Sequence, residues 1–311
     1  MLVMRVVFLG SPEFAVPALR ALIAGHDVVG VVCQPDRPAG RGRQTRPPPV
    51  KIAAAALGLP VYQPERLADP VSEDTLRAWL PDVILVAAYG QILRPAILAI
   101  PPLGCLNLHA SLLPRWRGAS PIQHALLAGD PMTGVTVMKM DSGLDTGPIL
   151  AQQEVPVEPG DTAGSLSARL ANVGASLLVE TLPAYSAGRL PLRPQASDLA
   201  TFAPRLTRAA GALDPAQPAE NLARMVRAFD PWPGTRLSWK HRPLAVLKAH
   251  AAEAAPHTPG AALVINRSPA IATGDGVLVL DRVQLPGGRP VDGAAFLDGH
   301  RDFPGSILTA A

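Results

Sequence analysis

Cysteine is nearly absent. Cys33 and Cys105 are the only two in 311 residues. Two thiols cannot build a disulfide framework or a Cys-rich metal centre, and they fit a chain that works in the reducing cytosol. Lysine is almost as scarce, four against twenty-four arginines. No uninterrupted apolar run reaches the roughly 18 residues of a membrane span. Met1–Gly10 lacks the basic n-region and cleavage site of a signal peptide, so it reads as a first β-strand. No GxGxxG follows that strand, and GxxxxGK[ST], HExxH, CxxC and GxSxG are all missing. A dinucleotide site, a P-loop, a zinc-protease centre and a nucleophile elbow therefore have no support. The seven histidines show no metal-ligand spacing, so no metal is expected.

The remaining composition, 48% hydrophobic and 17% charged, is that of a folded chain rather than a disordered one. Its length suggests about two domains at roughly 150 residues each. The formal charge of +3 is unevenly placed. Residues 1–204 hold 16 basic and 16 acidic side chains, and residues 205–311 hold 12 and 9. A basic C-terminal part suits an acidic partner such as nucleic acid. An excess this small suits a solvated surface equally well.

The first 150 residues alternate strand and helix signals. Continuous apolar runs at Arg5–Leu9, Val28–Val32 and Val83–Ala87 read as buried strands, Cys105–His109 and Val135–Met140 look like two further strands, and Val16–Ala24 reads as a helix. The pattern predicts an α/β domain over 1–188, with a Rossmann-like, mostly parallel sheet. A helix is expected over Thr162–Ala187, capped by Asp161 or Thr162. A Pro- and Arg-rich linker follows at 189–206. Pro218–Phe229 looks like one amphipathic helix. Five short strands between Arg236 and Leu285 then fit a small β-barrel over 207–311, the oligonucleotide-binding (OB-like) barrel being one such fold. Gln34–Lys51 holds five basic residues and five prolines with no periodicity, and reads as a long loop. Contact with a polyanion and simple solvation are equally weighted there.

The densest polar cluster is Asn107-Leu-His109-Ala-Ser111-Leu-Leu-Pro114. Asn107 and His109 are two apart, so on a strand they share a face, while Leu106 and Leu108 take the other. They lie near a strand's carboxyl end, where open α/β sheets bind ligands. Taken alone, a satisfied strand-end histidine and a turn-forming asparagine are the simpler reading. A second cluster, Asp141-Ser-Gly-Leu-Asp145, either satisfies backbone N–H groups in a loop or sets a carboxylate beside an imidazole. Asn, His and Asp together suit a reaction through a tetrahedral intermediate, with Asn and His⁺ donating to the oxyanion. None of the three is a nucleophile, so both reactants must come from outside. Cys105 reads as a small buried apolar residue.

At these residues the chain resembles the formyltransferase family that uses 10-formyltetrahydrofolate. The resemblance rests on Asn107-x-His109, Ser111-Leu-Leu-Pro114 and the Asp145 loop. Gly10-Ser-Pro-Glu-Phe14, Gln34–Gly42, Leu113-Pro-Arg-Trp-Arg-Gly118, Ser120-Pro-Ile-Gln123, Ala228-Phe-Asp-Pro-Trp-Pro233 and Ala272-Thr-Gly-Asp-Gly276 extend it over nearly the whole chain, and point to the tRNA-acting branch. The resemblance implies a cytoplasmic, monomeric enzyme of translation initiation. It implies that Asn107, His109 and Asp145 surround the formyl carbon, that Ser111, Leu112, Leu113 and Pro114 line the folate site, and that the amine of methionyl initiator tRNA is the acceptor. It puts Arg41 forward for contact with the tRNA, supported by Arg43 and Lys51, and gives the barrel a tRNA-binding face. The family's Lys-Glu-Glu run at the start of the second domain is replaced by Leu206-Thr-Arg-Ala-Ala-Gly211, where Arg208 keeps a positive charge. Trp116 is expected as core or pocket wall, and Trp232 as an anchor between helix and barrel. Two other readings stand beside this one: the same chemistry on a sugar-nucleotide or other small amine, and a non-catalytic RNA-binding module.

Overall fold

A computed structural model describes residues 3–39 and 44–311. Contacts group the chain into two compact units. The first comprises Met1–Pro121, Met132–Pro156 and Ser167–Pro204, and the second Ile122–Pro131, Val157–Leu166 and Arg205–Ala311. The division is thus not linear in sequence.

In chain order the first elements are β1 (Arg5–Gly10), α1 (Val16–Leu22), β2 (Asp27–Val32), β3 (Arg37–Ala39), β4 (Gln44–Arg46), α2 (Pro49–Ala56) and β5 (Val61–Tyr62). Next come α3 (Pro70–Ala78), β6 (Val83–Ala87), α4 (Pro95–Leu98), β7 (Cys105–His109), β8 (Arg117–Gly118), α5 (Pro121–Ala128), β9 (Met132–Lys139) and β10 (Ile149–Pro156). The central sheet has the order β10-β9-β7-β6-β1-β2-β5. The pairs from β7 to β5 are parallel. The pairs β7–β9 and β9–β10 are antiparallel. Antiparallel pairing puts the start of β9 beside His109 and its end beside Leu106, and the loop after it begins at Met140, whose N–H donates to Cys105 O (2.8 Å). The mostly parallel sheet expected from the apolar runs is the sheet observed. β6 and β7 are buried at every position, as strands covered on both faces must be.

The expected loop over Gln34–Lys51 differs from the structure in two ways. β3 and β4 pair antiparallel, Arg37 opposite Arg46. Lys51 lies on α2 and not on a loop, because Pro49 stands in the helix's first positions, where its missing N–H costs nothing.

The chain continues through α6 (Ala163–Ser186) and β11 (Phe202–Ala203). Thr162 caps α6: its Oγ1 accepts from Ser165 N (3.3 Å), and Ser165 Oγ accepts from Thr162 N (3.0 Å). Within the stretch where the interdomain linker is expected, residues 193–203 are hydrogen-bonded into the first unit. β11 pairs with β8, and Arg193 bridges Ile149.

The second unit contains α7 (Ala219–Ala228), β12 (Thr235–Trp239), β13 (Arg242–Ala252), β14 (Ala262–Ile265), β15 (Ser268–Ala272), β16 (Val277–Gln284), β17 (Val291–Asp292), α8 (Gly293–Gly299) and β18 (Leu308–Ala310). Its sheet runs β14-β15-β16-β13-β12-β18. It closes on itself, since Ala262 N donates to Ser306 O (2.9 Å) and Leu308 N to Gly260 O (2.8 Å). The result is a small antiparallel barrel of the kind the strand count predicts. Two tight turns, Lys240-His241 and Asn266-Arg267, take positive φ at both positions, which matches the twist of their hairpins. Trp239 fills the interior with its ring edge-on to Phe296, centroids 5.5 Å apart. Trp232 is 53% exposed and belongs to no core cluster, so it does not anchor α7 as expected. Three residues earlier, Phe229, which ends α7, is buried. Among the described residues no helix is long and apolar enough to cross a membrane.

Leu106 is fully buried on β7. Leu106→Ala is expected to destabilise the first unit by about 2–5 kcal/mol, the usual cost of such a cavity, seen as a lower midpoint in urea denaturation.

Candidate active site

β7 carries the polar pair. Its pleat sends Asn107 and His109 to one face and Leu106 and Leu108 to the other. All four are buried, Asn107 at 9% exposure and His109 at 6%. Buried polar groups need partners, and a loop supplies them. Asp145, in the turn between β9 and β10, lies with Oδ1 3.4 Å from Asn107 Nδ2 and Oδ2 3.8 Å from His109 Nδ1. His109 Nε2 lies 2.8 Å from the Trp116 carbonyl oxygen. A carbonyl only accepts, so Nε2 carries a proton. Nδ1 faces the Asp145 carboxylate at 3.8 Å, beyond hydrogen-bond distance. The structure brings Asn107, His109 and Asp145 together across 38 positions of sequence.

Asp145 is held from several sides. Gly118 N donates to its Oδ2 (2.9 Å). Its backbone sits at φ +52°, the left-handed region that short polar side chains tolerate. Gly147 lets the loop lie against β9, since a Cβ there would collide with the Lys139 carbonyl oxygen. Asp141 has the structural role among the loop's two acids. Its Oδ1 accepts from Gly143 N (3.0 Å) and Thr146 Oγ1 (2.6 Å).

The turn after β7 is equally tied down. Ser111 Oγ donates to Trp116 O and accepts from Trp116 N, each at 3.3 Å. Thr136 Oγ1 donates to Ser111 O (2.6 Å) and accepts from Leu113 N (3.2 Å), and Gln152 Nε2 donates to Leu113 O (2.9 Å). Leu113 packs with Met138 and Ile149. Of the four residues expected at the folate, Ser111 and Leu113 are thus buried among local partners. Leu112 and Pro114 keep partly exposed surface. Trp116 is half-buried with the Arg115 guanidinium 4.1 Å over its ring.

Arg41 and Arg43, expected at the tRNA, lie outside the described residues. Lys51 is in an ion pair: its Nζ is 2.9 and 2.8 Å from the two Asp36 carboxylate oxygens. Gln63 Nε2 also donates to Asp36 Oδ1 (2.8 Å) and to Gln34 O (2.9 Å). These contacts tie β2, α2 and the start of β3 together at the base of the arginine-rich stretch. Neither cysteine is poised for chemistry. Burial pushes the Cys33 thiol up to about 11 and the Cys105 thiol up to about 12.

Two contributors to the site are given no role by the sequence alone. Arg117 and Gln195 are 78 positions apart, and together they fix the Asp145 loop. Only the density of polar residues around Arg117 hints at one of them.

Sequence comparison places this architecture within a known class. Residues 4–182 match the formyl transferase family and residues 205–301 match the formyl transferase C-terminal domain. The chain belongs to the formyl transferase family. It is 52% identical over 304 residues to the methionyl-tRNA formyltransferase of Halorhodospira halophila, covering 97% of this chain and 98% of that protein. It is 52% identical over 302 residues to the methionyl-tRNA formyltransferase of Chloroflexus aggregans, covering 95% and 97%. A solved sugar 3N-formyl transferase, WlaRD, crystallised in the presence of dTDP and 5-N-formyl-THF, shares the fold. Its TM-score is 0.67 at 15% identity, covering 93% of this chain and 100% of that one.

The Gln63 hydrogen bond, and after it the Lys51 ammonium, hold the Asp36 carboxyl below its ordinary value. The sign follows from linkage: with the folded value depressed, the stabilisation is complete above the unfolded value of about 3.9 and is lost as pH falls through the folded one. Carbon-13 NMR titration is expected to place the Asp36 midpoint below that reference, with Gln63→Leu and Lys51→Met each raising it.

Proposed function

We propose that this chain transfers the formyl group of 10-formyltetrahydrofolate to the α-amino group of methionyl initiator tRNA, the step that prepares the charged tRNA for translation initiation. The observation that carries the reading is the meeting of Asn107, His109 and Asp145 at the carboxyl end of β7. The relatives with that activity match over almost the full chain.

The residues fit an acyl transfer between two outside reactants. The folate, when bound, supplies an electrophilic formyl carbon. The Asn107 amide has two N–H donors. One is engaged with Asp145 at 3.4 Å, and the other is free to meet negative charge developing on the formyl oxygen. His109 provides the second donor through Nδ1 when that nitrogen carries a proton, because Nε2 is committed to Trp116 O. Asp145 keeps the ring in place and receives the proton that the attacking amine sheds, and that proton passes to the folate nitrogen as its bond to the formyl carbon breaks. Each fixed donor is worth roughly 3–4 kcal/mol of barrier. Burial of the pair strengthens these interactions relative to water.

The partly exposed faces of Leu112 and Pro114 are where the folate would rest, with Ser111 and Leu113 shaping the turn beneath. Arg41 and Arg43 are assigned to the tRNA. Lys51 serves it indirectly, through the Asp36 pair. Residues 1–188 would then form the catalytic domain, 189–206 the link, and 207–311 a tRNA-binding barrel whose net charge of +2 suits phosphate. Both thiols are free, which supports a cytoplasmic setting.

Formyl transfer should be measured with charged initiator tRNA as acceptor, and with free methionine and uncharged tRNA as controls. Transfer to the charged tRNA alone is expected, and activity at low tRNA should fall steeply with added salt. Folate binding without transfer to charged tRNA would redirect the acceptor to a small amine such as a sugar nucleotide. Asn107→Ala and His109→Ala are each expected to lower kcat about 10²–10³-fold; parental turnover in either variant would remove that residue from the mechanism.

A further inference from the structure

Residues 191–199 are exposed at every position except Gln195. The exception has both ends of its amide engaged. Gln195 Oε1 accepts from Arg117 Nε (3.0 Å) and Arg117 Nη2 (2.8 Å). Gln195 Nε2 donates to Asp145 O (2.8 Å) and to Gly147 O (2.7 Å). Arg117 is itself buried on β8, and the next residue, Gly118, donates its N–H to the Asp145 carboxylate. The contacts form a closed circuit. It leaves Asp145 through the carboxylate, passes through Gly118 and Arg117 to Gln195, and returns to the Asp145 carbonyl.

We propose that Gln195 and Arg117 are a positioning clamp for the reaction, and that the strap over residues 193–203 completes the active site by delivering Gln195 to the Asp145 loop. The inference rests on the reading of Asp145 as part of the reacting centre. Neither clamp residue touches the reacting atoms; both act through Asp145.

The identity of residue 195 is informative. A buried guanidinium is best matched by a carboxylate, which would accept both of its N–H bonds and neutralise it. Glutamate at 195 would serve Arg117 better than glutamine does. It could not, however, donate to the two loop carbonyls, and its charge would face them. Glutamine retains the acceptor for Arg117 and adds the donors that the loop requires. The strap is pinned at both ends for this purpose. Arg193 N donates to Ile149 O (3.0 Å) at one end. At the other, Arg117 N donates to Thr201 O (2.8 Å) and Ser120 N to Ala203 O (3.2 Å). Gly118 has φ +116° and a Cβ there would press on the Ala203 carbonyl at 2.7 Å, so strap and β8 approach only because this residue is glycine.

The test compares parent, Gln195→Ala and Gln195→Glu by steady-state kinetics on charged initiator tRNA, by thermal denaturation, and by amide hydrogen exchange over residues 141–147. Gln195→Glu keeps a partner for Arg117, so its thermal midpoint should stay near the parent's. Both variants should lose kcat by about 10²-fold, the effect of a catalytic group displaced by about 1 Å, with KM for folate and for tRNA changed no more than a few-fold. Exchange over 141–147 should quicken in both. Parental kcat in Gln195→Glu would overturn the clamp, since this variant keeps the acceptor for Arg117 and loses the donors to the loop. So would a rise in KM with kcat retained, or unchanged exchange in the loop. A parent enzyme inactive on charged tRNA would overturn the functional reading instead, and the exchange measurement would then decide the clamp by itself.

Discussion

The structure depends on two polar side chains placed on a strand that is buried along its whole length. β7 lies inside the sheet, with β6 on one side and β9 on the other. Burying an amide and an imidazole there costs a few kcal/mol unless each finds a partner. No neighbouring strand supplies a carboxylate, so one must arrive on a loop. The antiparallel turn from β9 to β10 brings Asp145, and its arrival sets conditions on everything near it. The residue adopts a positive φ, Gly147 lies flat against β9, and Gly118 turns its N–H inward. A local demand for hydrogen bonds thereby dictates the course of three separated segments.

Burial explains which parts of this are legible in the sequence. Strands covered on both faces are mostly apolar, so β1, β2 and β6 appear as unbroken runs with ends correct to a residue, and β7 is broken only by the polar pair itself. The two-residue spacing then puts Asn107 and His109 on one face of β7 by the pleat alone. The same logic finds α7 and most of the barrel strands, whose inner faces are apolar. It fails for β10, Ile149–Pro156, whose burial alternates irregularly and whose sequence includes two glutamines and a glutamate. It fails for β3 and β4, because prolines and arginines mask a hairpin of three-residue strands. It also misses that Pro49 begins a helix and thus places Lys51 against Asp36. Gln195 is illegible for a different reason. Its meaning lies wholly in partners at 117, 145 and 147, and nothing in Leu192-Arg-Pro-Gln195 announces them.

The barrel shows the opposite economy. Its elements are close in sequence, and its interior is filled by Trp239, Phe296, Phe303 and aliphatic side chains around them. Closure by the hydrogen bonds between residues 260–262 and 306–308 removes the exposed sheet edges that an open sheet would leave. Its stability therefore rests on contacts that need no polar centre, and its surface is left free to vary.

Chemistry and recognition are thus separable in this chain. The centre contains two donors, a carboxylate and no nucleophile, so it can lower the barrier only for reactants that something else holds at the right distance. A preorganised site of that kind is indifferent to which amine arrives. Selection of the acceptor has to reside in surfaces whose side chains are not consumed in building the centre. The arginine-rich stretch meets that condition, since its base is fastened by Asp36, Lys51 and Gln63 with no use of the residues around Asn107. The barrel meets it as well. The hydrogen-bond circuit around Asp145 draws on neither of them.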